Sequence, residues 1–393
     1  MRICYVLLSP TFGMHQYTAD LANRMALVGH EVHLVTTAHV PRDRYTPAVA
    51  IHTPVITTNT GFSLEGLNVR DLRVLQRTIG GLRPDLVHFT GPHLWNVPLV
   101  HTLTDDGIPV LHTLHDLDPH HGTRYGVLLR VWNQMVINSA DHILVHGQTY
   151  RERLVEMGMP EERVTFTPLL HLFLSLARSK SLSVELATST RYEPWALFFG
   201  RMELYKGVDS LLAACAMLPP SVASAPRVVL AGPGDLSALW SGPLPNGVEV
   251  RNRLIADDEA IDLFRRCGLV VLPYVDATQS ALIAAAYYFR KPVIVTRTGA
   301  LPEYVEDGQT GWVVEPEHPA SLARCLEEML GDPAALAQMG SAGRTWYDAY
   351  RASEIAVLLD MYQQVGQSRP KTNPVTRYVG HPLSDLAGVG GHR

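Results

Sequence analysis

The sequence has few cysteines and no excess of positive charge. Its 393 residues include four cysteines, and 33 lysines and arginines stand against 38 aspartates and glutamates, for a net charge of −5. The cysteines form no C-x-x-C pair, which excludes a short zinc motif and favours buried thiols in a reducing compartment: Cys4, Cys215, Cys267 and Cys325. A general binder of the nucleic-acid backbone needs a basic excess, so we expect no nucleic-acid partner.

Long apolar runs are also missing. Residues 3–8 (ICYVLL) form an apolar run that Ser9 and Pro10 end, and this run is shorter than the apolar region of a secretory signal. No run reaches the roughly 18 apolar residues of a membrane span. We therefore expect a soluble, cytoplasmic protein, a location that leaves peripheral association with the inner face of the membrane open.

The sequence does contain a repeated order of short apolar strand, loop and helix. Its apolar fraction of 46% is typical of a globular protein. This alternation predicts an α/β fold of two doubly wound, Rossmann-like domains that face a central cleft. The predicted strands lie at 3–8, 31–36, 86–89, 110–114 and 143–145 in the first half, and at 195–199, 228–230, 248–250, 269–272 and 293–295 in the second.

The alternation stops near residue 168 and resumes at residue 195, which marks a domain boundary. We predict a first domain over 1–170, an interdomain connection over 171–193 and a second domain over 194–345. The segment 366–393 contains several glycines and prolines without periodicity, and this predicts a disordered tail.

Four loops of the second half fall where ligands bind to open parallel sheets, at the carboxyl ends of strands. In the first loop, Gly200 and Arg201 lead to Lys206, and a guanidinium and an ammonium around one turn suit phosphate oxygens. An ordinary solvated pair is the alternative. The other loops contain a Gly-Pro-Gly turn, a segment before a helix, and candidate helix caps, at 232–234, 253–258 and 274–280.

Two segments of the first half involve helices. The loop 9–15 (SPTFGMH) contains a glycine and precedes a helix predicted over 17–28, because apolar residues recur there at helical spacing. The segment 127–139 (VLLRVWNQMVINS) contains a single arginine, which favours a buried helix over a basic helix on a membrane surface.

Histidine is concentrated in the segment 111–121 (LHTLHDLDPHH). The spacing of its four histidines resembles no zinc site. His115 and Asp116 lie just beyond the strand predicted over 110–114, at the edge of the sheet where ligands bind. A structural role for His115 is the alternative.

Together, these segments resemble family 4 of the retaining GT-B glycosyltransferases (GT4) over nearly the whole chain, to about residue 365. The first piece is similar to the family's G-R-x4-K-G signature, FFGRMELYKGVDSLL at 198–212. It is followed by LAGPGD at 230–235 and by RKPVIVTRTGALPEYVEDGQTGWVVEP at 290–316, and RMALVGHEVHLVT and HTLHD fit in the first half. Any one of these segments alone is weak evidence for the family, but four of them in this order and spacing are strong evidence.

The resemblance implies an enzyme that moves a sugar from a UDP- or GDP-sugar to a glycan, lipid-linked or small-molecule acceptor, with no metal and no cofactor. It implies that Arg201 and Lys206 hold the donor diphosphate and stabilise the departing nucleotide, and that His115 lies over the sugar. Further residues implied at the donor are Gly13, Gly200, Gly232, Gly234, Arg253, Leu254, Ile255, Asp276, Thr278, Gln279 and Ser280.

The resemblance also assigns the two halves. The first domain would lie on the acceptor side, the second would bind the nucleotide sugar, and a closing helix over 346–365 would pack back on the first domain. Acceptor contacts are expected from first-domain loops, which offer the run 118–125 and five single side chains: His15, Tyr17, His93, Trp95 and Asp116. The sequence predicts no oligomeric state.

The sequence departs from the family at its E-x7-E motif, whose two glutamate positions fall on Ala277 and Ala285. The local text DATQS resembles a branch of the family with D/E-A-T-Q-S, in which Asp276 and its neighbours supply the hydrogen bonds. Glu303 is retained, as a helix-start residue or as a structural partner. The missing carboxylates leave open a second hypothesis, a catalytically impaired GT-B protein that binds a nucleotide or a partner enzyme. An epimerase, which needs carboxylates around the sugar, ranks last.

Overall fold

The computed structural model describes residues 1–9, 11–57, 68–117, 126–174, 178, 181–182, 185–186, 190–219 and 227–367. Several predictions lie outside the described residues: the acceptor run 118–125, parts of the connection 171–193, and the tail from residue 368 onwards.

The first domain is built on a seven-stranded parallel sheet in the order β3-β2-β1-β4-β5-β6-β7. Its central strands are continuous apolar runs, because helices cover both faces of a parallel sheet. The strands are β1 Arg2–Leu7, β2 Glu31–Thr37, β3 Val49–Val55, β4 Leu86–Phe89, β5 Val110–Thr113, β6 His142–Val145 and β7 Val164–Phe166. The helices are α1 Phe12–Leu27, α2 Val69–Leu82, α3 Asn96–Asp105, α4 Gly126–Ser139 and α5 Gln148–Glu156.

The second domain repeats this architecture with a six-stranded parallel sheet in the order β10-β9-β8-β11-β12-β13. Its strands are β8 Ala196–Phe199, β9 Val228–Ala231, β10 Val248–Arg251, β11 Leu269–Leu272, β12 Val293–Thr296 and β13 Gly311–Val314. Its helices are α6 Val208–Met217, α7 Asp257–Arg266, α8 Ala281–Tyr288, α9 Pro319–Leu330 and α10 Pro333–Gln367.

Each sheet has a point at which the strand order reverses. In the first sheet, β1 lies between β2 and β4, and in the second, β8 lies between β9 and β11. The connections that leave such neighbouring strands run to opposite faces of the sheet, so a crevice opens at the carboxyl ends between them. The loops after β1, β4, β8 and β11 are therefore where a ligand is expected.

The side chains of β1 alternate between two hydrophobic clusters. Tyr5 and Leu7 belong to a cluster that continues into the second domain, where it contains Leu197 of β8. On the opposite face, Val6 belongs to a cluster of first-domain residues. The connection 171–193 contributes to the larger cluster, which explains its apolar patch: the described buried leucines there are Leu172, Leu174, Leu182 and Leu186.

Helix α10 joins the two domains, because its first half packs on α8 and its second half reaches the first sheet. Near its end, the Tyr362 hydroxyl lies 2.9 Å from the Tyr5 hydroxyl and 2.8 Å from His88 Nδ1. Charged partners connect it to α1 as well: Asp20 and Arg24 on α1 face Arg351 and Glu354 on α10.

The helix is longer than the closing segment 346–365 predicted from the sequence, since it already begins at Pro333. Two glycines inside it interrupt the apolar pattern, and both permit close packing. A Cβ on Gly340 would lie 1.9 Å from the Arg290 carbonyl oxygen, and one on Gly343 would lie 2.4 Å from the Tyr287 ring. These glycines mark close contacts with neighbouring residues and not a helix end.

Two local predictions of the first domain are wrong. The loop predicted over 9–15 ends early, because α1 begins at Phe12 and places Gly13 and His15 inside the helix. Helix α4 is not buried all round: Val131 and Met135 are exposed while Trp132 and Val136 are buried, so one apolar face is open to solvent.

Within the described part of the chain, no helix has the length and apolar character that crossing a membrane requires. The four cysteines are buried and carry free thiols. Burial raises the pKa of each thiol to about 12, so they are inert packing groups at neutral pH.

Candidate active site

The loop after β8 presents two cations at the reversal point of the second sheet. Arg201 is exposed over 66% of its side chain and pairs with Glu203 at 2.8 Å. Lys206 folds back, so that its Nζ lies 3.1 Å from the place of a Cβ on Gly200 and 5.3 Å from the centre of the Tyr274 ring. No carboxylate of the described residues lies within ion-pair distance of this ammonium, which leaves it available to an anionic ligand.

Glycines allow the loops after β8 and β9 to touch. Gly232 has a φ of 146°, and a Cβ there would lie 2.0 Å from the Gly200 carbonyl oxygen. A Cβ on Gly234 would lie 2.4 Å from the Met202 carbonyl oxygen, and these two residues form a parallel bridge. Each glycine is therefore required by the close packing of the two loops.

The loop after β10 is held by Asn252, which the sequence analysis did not single out. Its side-chain amide donates to the Gly234 carbonyl at 2.8 Å and accepts from the Gly234 amide at 3.0 Å, in the manner of a backbone pair. Next to it, Arg253 makes two hydrogen bonds to Glu259, at 2.7 and 2.8 Å. Leu254 is 83% exposed, and Ile255 packs on the core. The segment can therefore contact a ligand through the Leu254 side chain and backbone groups, while the Arg253 guanidinium is already paired with Glu259.

The loop after β11 is fastened to its neighbours through the backbone. The Asp276 amide donates to the Tyr205 carbonyl at 3.2 Å, and the Thr278 carbonyl accepts from the Ala300 amide at 2.9 Å. Ser280 caps α8, because its hydroxyl accepts from the Leu282 amide. The Gln279 Oε1 atom is buried and has no hydrogen-bond partner among the described residues. Of the four predicted donor residues here, Gln279 thus has an unused acceptor and Ser280 has a structural role.

The two alanines at the family's glutamate positions are buried beside this loop, with exposures of 4% for Ala277 and 2% for Ala285. Gly299 packs against the first of them, since a Cβ there would lie 1.7 Å from the Ala277 carbonyl oxygen. Both positions therefore lie in the interior of the domain and carry no charged side chain.

In the first domain, α1 begins at the carboxyl edge of the sheet. Its N-cap residue Thr11 makes no capping hydrogen bond with its side chain. Gly13 lies in the first turn, and no described atom comes within 4 Å of the place of its Cβ. An open helix start with free backbone N–H groups is a favourable position for a phosphate.

His115 lies beyond the end of β5 and is buried. Its Nε2 lies 3.0 Å from the Thr90 carbonyl oxygen, which can only accept, so the proton is on Nε2 and Nδ1 keeps its lone pair. Burial lowers the pKa of His115 below its usual value, which favours this neutral form. The ring meets Tyr17 edge-on, with centroids 5.0 Å apart. The imidazole is thus a fixed hydrogen-bond acceptor.

The predicted acceptor residues have different surroundings. His15 is fully buried and bonds the Tyr45 hydroxyl at 2.9 Å, a position that suits packing better than contact with an acceptor. Trp95 is 3% exposed and lines a groove between α2, α3 and α4. Asp116 is half-buried, and its carbonyl oxygen accepts from Asn133 Nδ2 at 2.7 Å. Of the described residues predicted on the acceptor side, Tyr17 and Asp116 adjoin His115, whereas His93 is buried against Trp95.

Glu303 connects the two domains. Its carboxylate accepts hydrogen bonds from the backbone amides of Gln148, at 2.5 Å, and Thr149, at 3.0 Å, at the start of α5 in the first domain. The next residue, Tyr304, donates its hydroxyl to the His146 carbonyl. Of the two roles that the sequence left open for Glu303, the structure supports the structural partner: it caps a helix of the other domain.

The described residues contain no group of three histidine, cysteine, aspartate or glutamate side chains arranged to hold a metal ion. The predicted donor residues lie on glycine-supported loops at the carboxyl ends of β8, β9, β10 and β11. The start of α1 and the neutral His115 lie at the carboxyl edge of the first sheet. Cations and free backbone N–H groups suit a diphosphate, and His115 suits a hydroxyl group.

Comparison with known families identifies the architecture. Residues 13–169 match the family described as Glycosyltransferase Family 4, and residues 193–332 match Glycosyl transferases group 1. The chain belongs to glycosyltransferase family 4. Similar proteins include the D-inositol 3-phosphate glycosyltransferases of Streptomyces avermitilis, 27% identical over 84% of this chain and 78% of that protein, and of Mycolicibacterium smegmatis, 25% identical over 96% and 92%.

Solved structures confirm the GT-B fold of this family 4 glycosyltransferase. Sucrose-phosphate synthase from Thermosynechococcus elongatus superposes with a TM-score of 0.69 at 19% identity, over 93% of this chain and 99% of that one. HepE from Anabaena, in complex with UDP and glucose, superposes with a TM-score of 0.61 at 19% identity, over 93% and 98%.

Two residues of this glycosyltransferase were not predicted as site residues: Asn252 and Tyr304. Asn252 directly follows β10, and a polar amide at a strand end was the available signal. Tyr304 acts through a tertiary contact to His146, and no local sequence pattern indicates such a contact.

Proposed function

We propose that this glycosyltransferase transfers a hexose from a UDP- or GDP-sugar to a hydroxyl group of a glycan, lipid-linked or small-molecule acceptor, with retention of configuration and without a metal ion. The observation that carries the proposal is the pair of cations on the loop after β8, Arg201 and Lys206. A solved neighbour bound to UDP-glucose supports a nucleotide-sugar donor, and the relatives named for inositol 3-phosphate support a polyhydroxyl acceptor.

In the proposed reaction, the bond between the sugar C1 and the diphosphate oxygen breaks, and its electron pair goes to the phosphate. The acceptor oxygen forms the new bond to C1, and its proton passes to the departing phosphate oxygen. Negative charge thus grows on the diphosphate while positive charge grows on the sugar. Lys206 stabilises the first of these charges, because a fixed ammonium in a pre-formed loop needs no reorganisation. When the donor binds, Arg201 leaves Glu203 and pairs with a phosphate oxygen. Its planar guanidinium is well suited to this bond.

The side chains at the family's two glutamate positions limit the route by which retention can be achieved. The two positions that carry glutamates in most of the family are the buried alanines Ala277 and Ala285. Neither of them supplies a nucleophile that could form a covalent sugar intermediate. Attack of the acceptor from the side of the leaving group then accounts for retention.

His115 orients the sugar in this proposal. Since its Nε2 donates to Thr90, its Nδ1 can accept a hydrogen bond from a sugar hydroxyl. The lowered pKa keeps the ring uncharged, so that it adds no positive charge next to the developing charge on C1.

The test is a transfer assay with UDP-glucose, UDP-N-acetylglucosamine and GDP-mannose against inositol phosphate, monosaccharide and lipid-linked acceptors, with donor hydrolysis recorded in parallel. Lys206→Ala and Arg201→Ala are compared with Arg324→Ala, an exposed arginine on α9 that lies outside the proposed site. We expect the first two variants to lose activity and the third to keep it. NMR of the product checks the anomeric configuration, and added EDTA checks the metal. Inversion, or loss of activity in EDTA, refutes the corresponding part.

The missing carboxylates favour one other function, nucleotide binding without transfer. Calorimetry decides between the two. Micromolar binding of UDP or GDP, without donor hydrolysis or transfer by any donor of the panel, would replace the proposed function by this one.

A further inference from the structure

An apolar groove opens on the first domain between α2, α3 and α4. Its volume is about 370 Å³, and its lining is almost wholly carbon. This size falls within the roughly 300–1,000 Å³ of small-molecule sites. The main lining side chains are Val69, Leu72, Trp95, Val131, Trp132 and Met135.

The groove leaves large apolar side chains in contact with solvent. Val69 is 56% exposed, Val131 is 50% exposed, and Leu128 and Met135 are exposed as well. Single exposed apolar residues are ordinary, but a contiguous group of them around one concavity marks a binding site.

The floor of the groove is hydrogen-bonded to the acceptor side of the cleft. Trp132 donates its indole N–H to the His93 carbonyl at 3.1 Å, in the loop after β4. The neighbouring Asn133 donates to the carbonyls of Asp116, at 2.7 Å, and Leu117, at 2.8 Å, in the loop that also carries His115. In addition, α2 follows β3, α3 follows β4 and α4 follows β5. Each helix therefore begins at the carboxyl edge of the parallel sheet. The groove therefore opens at the same edge as the proposed acceptor site.

Positive charge lies on two of the helices that form the groove. Arg70 and Arg73 on α2 and Arg130 on α4 are exposed. Arg73 lies one helical turn beyond Val69, on the same face. None of the three arginines has an ion-pair partner among the described residues. Arginine is well suited to phosphate groups, so exposed arginines on these helices, Arg73 above all, complement an anionic head group.

The shape favours a single chain over a flat bilayer surface. The exposed apolar side chains line a hollow, whereas a helix that docks on a membrane pushes a projecting apolar face about 5–10 Å into the lipid. A hydrocarbon chain in the hollow, with its head group at the arginines, satisfies both features.

We propose that this groove binds the hydrocarbon chain of the acceptor, and that the acceptor is an anionic amphiphile such as a lipid phosphate that carries a sugar or polyol. The inference rests on the proposed function, which makes the bound lipid an acceptor. The groove holds the chain, the arginines hold the phosphate, and the hydroxyl-bearing head extends past Asp116 towards His115.

The test measures binding of octyl, decyl and dodecyl phosphate, each below its micelle concentration, to the full chain by calorimetry and tryptophan fluorescence. Each added methylene buries apolar surface, so we expect affinity to rise about three- to fourfold per methylene until the groove is full. Val131→Glu should weaken binding of dodecyl phosphate more than tenfold. The matched control is Met217→Glu, because Met217 is 58% exposed on α6 of the second domain and should leave binding unchanged.

Arg73→Glu provides the second arm. This substitution should weaken the binding of dodecyl phosphate but not that of dodecyl maltoside, whose head group is uncharged. The proposal is overturned if affinity does not depend on chain length, if Val131→Glu binds as well as the wild type, or if the protein binds anionic vesicles but not the monomeric alkyl phosphates. No turnover is needed, so the two proposals fail separately: binding without sugar transfer on any donor refutes the proposed function and leaves the groove as a lipid site.

Discussion

Lowering the pH from 7.5 to 5 should strongly destabilise the first domain, because its core contains neutral histidines. Burial lowers the pKa of His93, His142 and His171 to about 4 and that of His112 to about 3. In an unfolded chain, the pKa of histidine is about 6.5. The unfolded state therefore takes up protons that the folded state does not bind. The stability is complete above pH 6.5 and is lost as the pH falls towards 4.

The size of the effect follows from these values. One histidine with a pKa of about 4 when folded and about 6.5 when unfolded costs about 2 kcal/mol of unfolding free energy between pH 7.5 and pH 5. Three such groups cost about 6 kcal/mol, a large part of the about 5–15 kcal/mol that stabilises an ordinary protein. His142 is the best single position for a test, because it lies at the start of β6, on the edge of the sheet away from the cleft.

The assay is urea unfolding at pH 7.5 and pH 5 for the wild type, His142→Gln and the control His39→Gln, whose side chain is exposed. The wild type and the control should lose the same free energy of unfolding between the two pH values. His142→Gln should lose about 2 kcal/mol less, because one titrating group is gone. An equal loss in all three proteins, or no loss in the wild type, would refute the reasoning.

Three further predictions concern the site and the domain contact. Lys206→Ala should lower kcat about 10²- to 10³-fold, as expected for removal of one fixed group that stabilises transition-state charge, and steady-state transfer kinetics measure this. Glu303→Ala should cost about 1–2 kcal/mol of stability, because two backbone N–H groups of α5 lose their acceptor, and urea unfolding measures it. Gly340→Ala should cost about 1–3 kcal/mol, because its methyl group meets the Arg290 carbonyl, and thermal unfolding measures this change.

Each of these predictions has a control. Gly331→Ala should be nearly neutral, since its methyl group meets ordinary contacts of 3.4 and 3.5 Å. Glu303→Gln retains an oxygen acceptor and should recover part of the stability that Glu303→Ala loses. If Lys206→Ala left kcat unchanged, the ammonium of Lys206 would have no part in the mechanism. A Gly340→Ala protein as stable as the wild type would show that helix α10 shifts at no cost.

Much of this architecture could be predicted from the sequence. The central strands are continuous apolar runs of fixed length, and glycines and prolines separate them from amphipathic helices, so strands such as β5 and β11 were recognisable. Three of the four edge strands were missed, β3, β7 and β13, whereas the edge strand β10 was predicted over 248–250. In β3, Pro54 and His52 interrupt the apolar pattern, which an edge strand tolerates because one side makes no ladder.

The candidate site was predictable only where a side chain acts through a local pattern. Arg201, Lys206 and the glycines of the loops are brought together by strand ends, which the sequence marks. His15 was placed at the acceptor because its loop was expected to be longer, but α1 starts earlier and turns the side chain towards Tyr45. The cap that Glu303 provides joins residues 155 positions apart, and such a contact depends on how the domains are placed.

Helix α10 has a consequence for how the chain folds during synthesis. Residues 1–170 are contiguous and form a complete sheet, yet Tyr5 and His88 find their hydroxyl partner at Tyr362. Until the ribosome has released helix α10, Asp20 and Arg24 also lack the opposite charges of Arg351 and Glu354. The nascent first half must therefore wait for this helix, synthesised after the whole second sheet, before its interior is closed.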